Sequence, residues 1–344
     1  MRPVQLLLLL ALLILGLAAA PAARAITTCS ATADSALPFG TIVSAGAAAT
    51  GTLNITVTCS TTAISVGGSA GVRVCIGLGN GTGGTTTSPL RSLVNTTTDT
   101  MGFQIYNQSN YTQITGLTPN TSPAPKQVTL SYTAPLLVGS GTTTTQLYAT
   151  VPANQILASG NYTSNFSGAN VVLTWAANET LIGTIAPPAT CTSGNAGSFS
   201  ASSAFNFTAS AQVAPLCGSY LTTDMDFGTV NGSITGNIDR TATLTLTCLR
   251  RTAYQVSLNN GQNSQGSTRR MLNVVNASNQ YLPYELYRDT ARTQRWGNSL
   301  AIDTVGGTGN GAAQQLTIYG RVPPVSGQPP AGTYNDRIQV TITY

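Results

Sequence analysis

The sequence contains no histidine and few charged residues. Aspartate, glutamate, lysine and arginine together make up 7% of its residues, against about 25% in an ordinary globular protein. Without histidine, the commonest general base and neutral metal ligand is missing. A hydrolase would then need paired carboxylates, and the nearest pair, Asp224 and Asp226, lies within a repeated structural segment. We therefore predict a protein that is not an enzyme, with no metal site and no cofactor.

The few charges are unevenly distributed. Residues 26–190 carry three basic and three acidic side chains, whereas residues 191–344 carry ten arginines and seven acids. A nucleic-acid-binding protein needs a clustered basic face, which the doublets 250–251 and 269–270 do not supply. We interpret these arginine doublets as solvated residues at strand ends and predict no nucleic-acid partner.

The N-terminus has the pattern of an export signal. Arg2 precedes an apolar run over residues 4–20, and residues 23–25 (Ala-Arg-Ala) have the small residues of a signal-peptidase site. The run is long enough for a membrane anchor, but a cleavage pattern follows it rather than a stop-transfer cluster. We predict a signal peptide over residues 1–25 and no membrane span in the mature chain.

The rest of the chain reads as two diverged copies of one unit. In each copy a cysteine is followed ten residues later by Phe-Gly and about thirty residues later by a second cysteine. These elements are Cys29, Phe39 and Cys59 in the first copy and Cys217, Phe227 and Cys248 in the second. Further matches keep the same order, pairing 76–81 with 256–261, 103–106 with 284–287, 147–152 with 318–323 and 160–162 with 332–334. We predict two domains, 26–190 and 191–344.

Six cysteines in an exported chain indicate disulfides, and no Cys-x-x-Cys pair or histidine supports zinc. The simplest pairing is Cys29–Cys59, Cys217–Cys248 and, by remainder, Cys75–Cys191, although the sequence leaves other connectivities open. Apolar and polar residues alternate over 53–57 and 338–344, and Asn-Gly pairs mark turns. This pattern predicts an all-β chain of two immunoglobulin-like β-sandwich domains in tandem.

The second copy also carries an ordered set of motifs. They are Phe227-Gly228, Arg270-Met271, residues 282–287, Trp296-Gly297, residues 319–323 and residues 331–336. Together these resemble the spore coat protein U domain family, which includes the subunits of archaic chaperone–usher pili of the Csu type. The first copy matches more loosely, with Thr115-Gly116 in place of Trp296-Gly297. Two-domain members resemble a tip adhesin, with an N-terminal surface-binding domain and a C-terminal pilin domain.

The resemblance implies a function and partners. We expect a tip adhesin that is exported through the periplasm to the pilus tip at the cell surface, where it attaches cells to surfaces and promotes biofilm formation. Its partners would be a periplasmic chaperone, an outer-membrane usher and an adjacent pilin subunit. The second sandwich would be incomplete, and a neighbour's strand would fill its groove by donor-strand complementation. Ile338, Val340, Ile342 and Tyr344 would form one wall of that groove, and a complete sandwich with an edge strand is the alternative.

One segment inside the chain looks like a donor strand. Apolar and polar residues alternate over 205–213, so we hypothesise that the strand 199–213 completes the first domain or else opens the second. Cys29 follows the predicted cleavage site by four residues, which leaves no N-terminal segment to donate. A subunit that accepts a strand but donates none is expected at the end of a fibre.

The first copy has a longer connection where adhesion could take place. Residues 117–145 span 29 positions, against 17 at 298–314 in the second copy. We predict a surface-binding loop with Pro135, Leu136, Leu137 and Val138, and further contacts from Tyr111, Ile114, Ile156 and Leu157. The alternative is that the predicted loop is a buried strand. The sequence does not identify the surface or receptor that would be bound. A lectin-like adhesin and a structural shaft or coat protein are the rival functions.

Overall fold

The computed structural model describes residues 26–63, 67–85, 90–134, 137–275 and 280–344, so the predicted signal peptide lies outside the described chain. The described residues form strands and turns, with one short 3-10 turn at Gly168–Asn170. This confirms the all-β prediction. Within these ranges, no helix has the length and apolar character required to cross a membrane.

The described residues of the first domain form twelve strands in two sheets. They are β1 (Ile26–Ala33), β2 (Ala36–Ile42), β3 (Ala49–Ala63), β4 (Gly68–Leu78), β5 (Arg91–Val94), β6 (Thr100–Tyr106), β7 (Lys126–Ala134), β8 (Leu137–Val151), β9 (Gly160–Phe166), β10 (Val171–Thr180), β11 (Ser198–Ser202) and β12 (Phe207–Val213). The larger sheet has the order β1-β3-β8-β6-β5-β9-β12-β2, and the smaller one has the order β11-β10-β4-β7. One apolar core fills the space between them.

In the second domain, the part of the chain that the structure describes forms nine strands in two smaller sheets. They are β13 (Cys217–Thr222), β14 (Ile238–Cys248), β15 (Ala253–Leu258), β16 (Arg269–Asn273), β17 (Tyr281–Tyr287), β18 (Val305–Thr308), β19 (Ala313–Val322), β20 (Tyr334–Asn335) and β21 (Val340–Thr343). Their orders are β13-β14-β19-β17-β16-β20 and β18-β15-β21. The first sheet repeats the order β1-β3-β8-β6-β5-β9 strand for strand, and the second repeats β7-β4-β10, so the sequence duplication corresponds to a duplicated fold.

The division between the sheets falls later than the predicted boundary after residue 190. Residues 191–213 belong to the first domain, because β11 pairs with β10 and β12 lies between β9 and β2. The physical reason is burial: the apolar side chains of β12 and the preceding Phe205 fill the first core. The segment 199–213 therefore sits with the first domain, as one of the two sequence hypotheses stated.

Three disulfides are present, in the pairing that the sequence suggested. Cys29–Cys59 joins β1 to β3, and Cys217–Cys248 joins the equivalent strands β13 and β14. Cys75–Cys191 closes a separation of 116 residues and ties the chain before β11 to the central strand β4. The third bridge thus fastens the segment that leads into β11 and β12.

The interpretation of the arginine doublets as solvated residues is wrong at Arg269. Its side chain is fully buried between β16 and its neighbours. The guanidinium donates to the carbonyl oxygens of Leu258, Asn259 and Trp296 at 2.7–3.0 Å and pairs with Glu285. Three converging backbone carbonyls compensate the charge where a lone buried cation would be costly.

The first domain repeats this arrangement at Arg91. Its guanidinium donates to the carbonyl oxygens of Gly79, Leu78 and Thr115 at 2.7–3.0 Å and to the side chain of Gln104. Burial lowers the pKa of Arg91 to about 10, so the group still carries its charge at neutral pH. The buried arginine is a structural element of both copies.

The two domains meet end to end through Asp99. This carboxylate, in the turn between β5 and β6, binds Arg250 at 2.6 Å and also Arg251, both from the turn between β14 and β15. The amide of Ser159 donates to the carbonyl oxygen of Arg250 at 3.0 Å, and Leu249 packs against the first core. Arg250 and Arg251 are exposed, as the sequence suggested, and at the same time they form the domain junction.

Candidate functional site

The strands of the first domain extend past the repeat at the end far from this junction. β3 continues four residues beyond Cys59, the residue equivalent to the last residue of β14, and β8 and β4 each begin five residues before the equivalent points in β19 and β15. The added length that was predicted to be a loop is therefore largely strand. At about 3.3 Å per residue, the extension reaches roughly 15 Å beyond the repeated fold.

Several strand ends meet at this extended tip. Gly68 at the start of β4 pairs with Ala134 at the end of β7, and Ser69 pairs with Thr180 at the end of β10. The amide of Gly183 donates to the carbonyl oxygen of Gly67 at 3.1 Å, which holds the turn after β10 against the start of β4. β10 thereby contributes a turn at the same tip as the end of β7.

The tip exposes apolar side chains, which we call the apolar end: Ile26, Val138, Leu181 and Ile182. Val138 is 58% exposed, Leu181 61% and Ile182 79%. Ile26 and Val138 lie in one cross-strand row, because both are in register with Thr62. Glu179, which accepts a hydrogen bond from Thr27, is the charged residue of the neighbouring strand end. A projecting surface with exposed apolar side chains and few charged ones suits contact with a hydrophobic surface better than capture of a small polar ligand.

The predicted binding residues fall in different places. Pro135 and Leu136 lie outside the described residues, and Leu137 is the first residue of β8. Val138 is at the apolar end. Tyr111 and Ile114 lie beside β6 instead, where the rings of Tyr111 and Tyr106 meet edge to face and Ile114 bridges to Tyr106.

Ile156 and Leu157 are far from the apolar end. They follow the other end of β8, next to the domain junction. Val138 and Val151 are thirteen positions apart in β8, a span of about 43 Å at 3.3 Å per residue. Ile156 is 90% exposed, whereas Leu157 is buried in the first core. These two residues therefore do not join Val138 in one surface.

Leu181 and Ile182 were missed in the sequence. The sequence signal that could have indicated them was an apolar pair directly before Gly183, at the end of an alternating strand. Gly183 has φ +78° and open space around it, so the turn needs a residue that tolerates the left-handed region. Position in the sequence could not show that this turn reaches the same tip as Val138, since that depends on the pairing of β10 with β4.

The second domain has a different feature, an open position in its larger sheet. In the first domain β12 fills the space between β9 and β2, antiparallel to β9 and parallel to β2. In the described part of the second domain, β20 pairs with β16 alone, and residues 223–231, which correspond to β2, form no strand. We call the space between β20 and residues 223–231 the open groove.

Equivalent side chains show what the missing strand would cover. Leu37, Phe39 and Ile42 of β2 are buried, whereas their counterparts Met225 and Phe227 are half-buried and Val230 is 45% exposed. Likewise Tyr162 and Phe166 of β9 are buried, and their counterparts Tyr334 and Ile338 are half-buried. Each counterpart except Val230 still packs on the second core. The open groove is therefore an apolar channel that lacks the covering present in the first domain.

The floor of the open groove carries one polar pair. The hydroxyl of Tyr284 donates to a carboxylate oxygen of Asp336 at 2.8 Å, and the other oxygen accepts the amides of Gln262 and Asn263 at 3.0 and 3.2 Å. Burial, together with the bonded carboxylate, raises the pKa of Tyr284. Because Asp336 already has four donors, including the side-chain amide of Asn263, a covering strand would not leave it unpaired.

The four residues predicted to form the groove wall divide between two positions. Ile338 lies beside the open groove, where Phe166 lies in the first domain. Val340 and Ile342 belong to β21 and pair with β15 in the smaller sheet, and Tyr344 follows β21 with 52% of its surface exposed. Of the predicted wall, Ile338 therefore lies beside the open groove, whereas the other three residues lie in or directly after β21.

Within the described residues, no three histidine, cysteine, aspartate or glutamate side chains gather to hold an ion. Asp226, from the carboxylate pair considered above, accepts the backbone amide of Gly228 at 2.8 Å and so shapes the turn beside the open groove.

These features define an all-β, disulfide-linked two-domain protein with an open sheet position in one domain. The chain belongs to the Spore Coat Protein U domain family, whose model matches residues 17–168 and 203–341. Protein U of Myxococcus xanthus is 35% identical over 132 residues, which cover 35% of this chain and 71% of Protein U.

Two solved structures align with most of the chain at low sequence identity. One is the CsuC–CsuE chaperone–tip adhesion subunit pre-assembly complex from archaic chaperone–usher Csu pili of Acinetobacter baumannii, at 16% identity and a TM-score of 0.37, covering 92% of this chain and 100% of the matched chain. The other is the CupB6 tip adhesin from Pseudomonas aeruginosa, at 13% identity and a TM-score of 0.32, covering 93% and 96%.

Proposed function

We propose that this protein is a tip adhesin of a chaperone–usher pilus, exported through the periplasm to the cell surface. Its first domain attaches to hydrophobic surfaces through the apolar end and so promotes biofilm formation. Its second domain joins the fibre by accepting a strand from the next subunit in the open groove. The usher and a periplasmic chaperone are the partners that such a subunit requires during assembly.

The observation that carries the proposal is the difference between the two copies. In the first domain the groove holds β12 from the same chain, with Phe207, Ala209, Ala211 and Val213 buried. In the second domain the equivalent position is open and its apolar residues are half-exposed. A chain with one groove already filled from within and one awaiting a strand accepts one neighbour through its second domain.

The domain junction and the apolar end lie at opposite ends of the first domain, which supports a position of this subunit at the end of the fibre. The second domain contacts the first through Asp99 and Ser159, near the end of the first domain that is opposite the apolar end. A fibre attached through the second domain would therefore hold the apolar end outward. Apolar side chains that project from the outer end of a subunit suit attachment to a surface, and nothing in this placement requires a carbohydrate pocket.

The test replaces the apolar residues of the β10 turn. In cells that assemble the pilus, the double substitution Leu181→Ser and Ile182→Ser should reduce attachment to polystyrene at least several-fold. The matched control is Leu300→Ser with Ile302→Ser, an equally exposed pair in the second domain, which should leave attachment unchanged. Pilus number is counted by electron microscopy in every strain, since both variants should assemble normally.

Two results would contradict the proposal. Equal attachment by the two variants would show that the apolar end does not take part in adhesion. Labelling of this protein along the whole fibre, rather than once at its end, would assign it to the shaft and not to the tip.

A further inference from the structure

The first domain shows what covers the sheet edges that the second domain leaves open. Its segment 198–213 pairs twice: β11 extends the smaller sheet along β10, and β12 enters the larger sheet between β9 and β2. A single continuous segment of sixteen residues therefore completes both sheets of one sandwich.

β21 is the counterpart of β10. Leu173 of β10 pairs with Ile76, and the equivalent Ile342 of β21 pairs with Val256. Along its other edge, β10 carries β11, with Ala201 opposite Leu173. In the part of the second domain that the structure describes, β21 pairs with β15 alone, so its other edge is open in the same place.

Tyr344 marks this second open edge. By the same register it corresponds to Trp175, which is buried and stacks on Phe199 of β11 with ring centroids 5.9 Å apart. Tyr344 has no ring partner of this kind among the described residues and is 52% exposed. An incoming strand beside β21 would place a side chain over Tyr344 where Phe199 lies over Trp175.

We infer that the second domain has a two-edged acceptor site, which takes one extended segment of another pilus subunit beside β21 and then within the open groove. The inference rests on the proposed function, because it specifies how the accepted strand binds. The segment would run antiparallel to β20 and parallel to residues 223–231, as β12 runs relative to β9 and β2.

The chemistry of that segment follows from residues 198–213. Its C-terminal half needs apolar side chains at alternate positions to cover Ile338 and Phe227. Its N-terminal half needs a strand that continues the smaller sheet, with an aromatic side chain at the position of Phe199 to cover Tyr344. A donor limited to the length of residues 205–213 would leave the edge of β21 open.

Synthetic peptides of this chain's own segment provide the probe. The mature chain is incubated with a peptide of residues 198–213, with one of residues 205–213, or with a scrambled sixteen-residue peptide, and amide hydrogen exchange is followed. Both native peptides should protect β20 and residues 223–231, and the longer one alone should also protect residues 340–343. Amides of β9 and β10 should not change, since their edges are already paired.

A substitution separates the two edges. Tyr344→Ala should weaken binding of the longer peptide by roughly 2- to 10-fold, as expected for loss of one aromatic pair, and should not affect the shorter peptide. Tyr220→Ala, at another exposed tyrosine, serves as the control and should change neither. If the longer peptide protects the open groove but not residues 340–343, the proposed two-edged site is wrong, although strand acceptance in the groove is still supported. If neither native peptide protects the second domain, the proposal of strand acceptance itself is wrong.

Discussion

Phe207 of β12 stacks on Phe166 of β9, with ring centroids 4.5 Å apart and ring planes 6° apart. The ring of Phe205 lies 6.2 Å from that of Phe207 on the same strand segment. These contacts fix the register of the inserted strand and link residues that are about forty positions apart in the chain. The first sandwich therefore depends on a segment that follows its last repeated element.

Phe207→Ala should destabilise the first domain by about 3–5 kcal/mol, the usual effect of removing a buried phenylalanine. Phe199→Ala on β11 is the matched control, because Phe199 is 40% exposed, and its effect should be about 1 kcal/mol. The two tryptophans make the measurement domain-specific, since Trp175 lies in the first core and Trp296 in the second. Urea unfolding in a Trp296→Phe background reports the first domain, and equal effects of the two substitutions would contradict the importance of the β12 stack.

The sequence predicted the general fold because its signals are local or repeated. Alternation over residues such as 53–57 indicates strands directly, and the spacing of Cys29 and Cys59 recurs at Cys217 and Cys248. The pairing of Cys75 with Cys191 was inferred because these two cysteines remained after the repeated pairs had been assigned. None of these inferences required knowledge of which strands are neighbours.

The site was only partly predictable because it depends on strand pairing. Leu181 reaches the apolar end because β10 pairs with β4, while Ile156 lies at the opposite end because β8 is fifteen residues long. Arg269 was wrongly interpreted as solvated because its partners are backbone carbonyls, which no side-chain pattern reveals.

Loss of the bridge between Cys75 and Cys191 should act on the first domain alone. The bridge spans 116 residues, and opening so long a loop removes roughly 4–5 kcal/mol in the chain-entropy model. The double substitution Cys75→Ser and Cys191→Ser should lower the stability reported by Trp175 and leave that reported by Trp296 unchanged. Cys217→Ser with Cys248→Ser is the complementary control and should show the reverse pattern; a common shift of both probes would mean that the domains unfold as one unit.

Asp99 should couple the two domains in a pH-dependent way. Burial opposes its ionisation, but hydrogen bonds from Arg251, Asn95 and Thr97 and the charge of Arg250 outweigh that effect and lower the pKa of Asp99. Because the unfolded chain has the higher pKa, of about 3.9, the stabilisation is complete above that pH and is lost as the pH falls through the lower folded value.

Asp99→Asn should therefore destabilise the first domain near neutral pH by about 1–2 kcal/mol, a modest value because both arginine side chains are substantially exposed. The difference from the wild type should shrink as the pH is lowered from 5 toward 2, measured by Trp175 fluorescence in urea. Asp239→Asn is the control: its carboxylate pairs with Arg321 within the second domain and should affect Trp296 only. A difference for Asp99→Asn that is constant over this pH range would exclude ionisation of Asp99 as its source.

Arg269→Lys should be among the most damaging conservative substitutions in the second domain. A lysine keeps the charge, but one ammonium group cannot replace a planar guanidinium that reaches the carbonyl oxygens of Leu258, Asn259 and Trp296 together. Buried carbonyls would lose their donors, and we expect a loss of about 3 kcal/mol in the unfolding free energy of the second domain.

The neighbouring Arg270 provides the control, because its guanidinium lies over the ring of Tyr281 at 4.1 Å on the partly exposed face of β16 and donates to one backbone carbonyl, that of Asn263, rather than to three. Arg270→Lys should cost less than about 1 kcal/mol, since a lysine retains a cation over the ring. Both variants are compared through Trp296 in a Trp175→Phe background. Comparable losses would show that the strand tolerates no change at either position, whereas a large loss confined to Arg269→Lys would establish that the carbonyl contacts, and not the charge, stabilise this part of the sandwich.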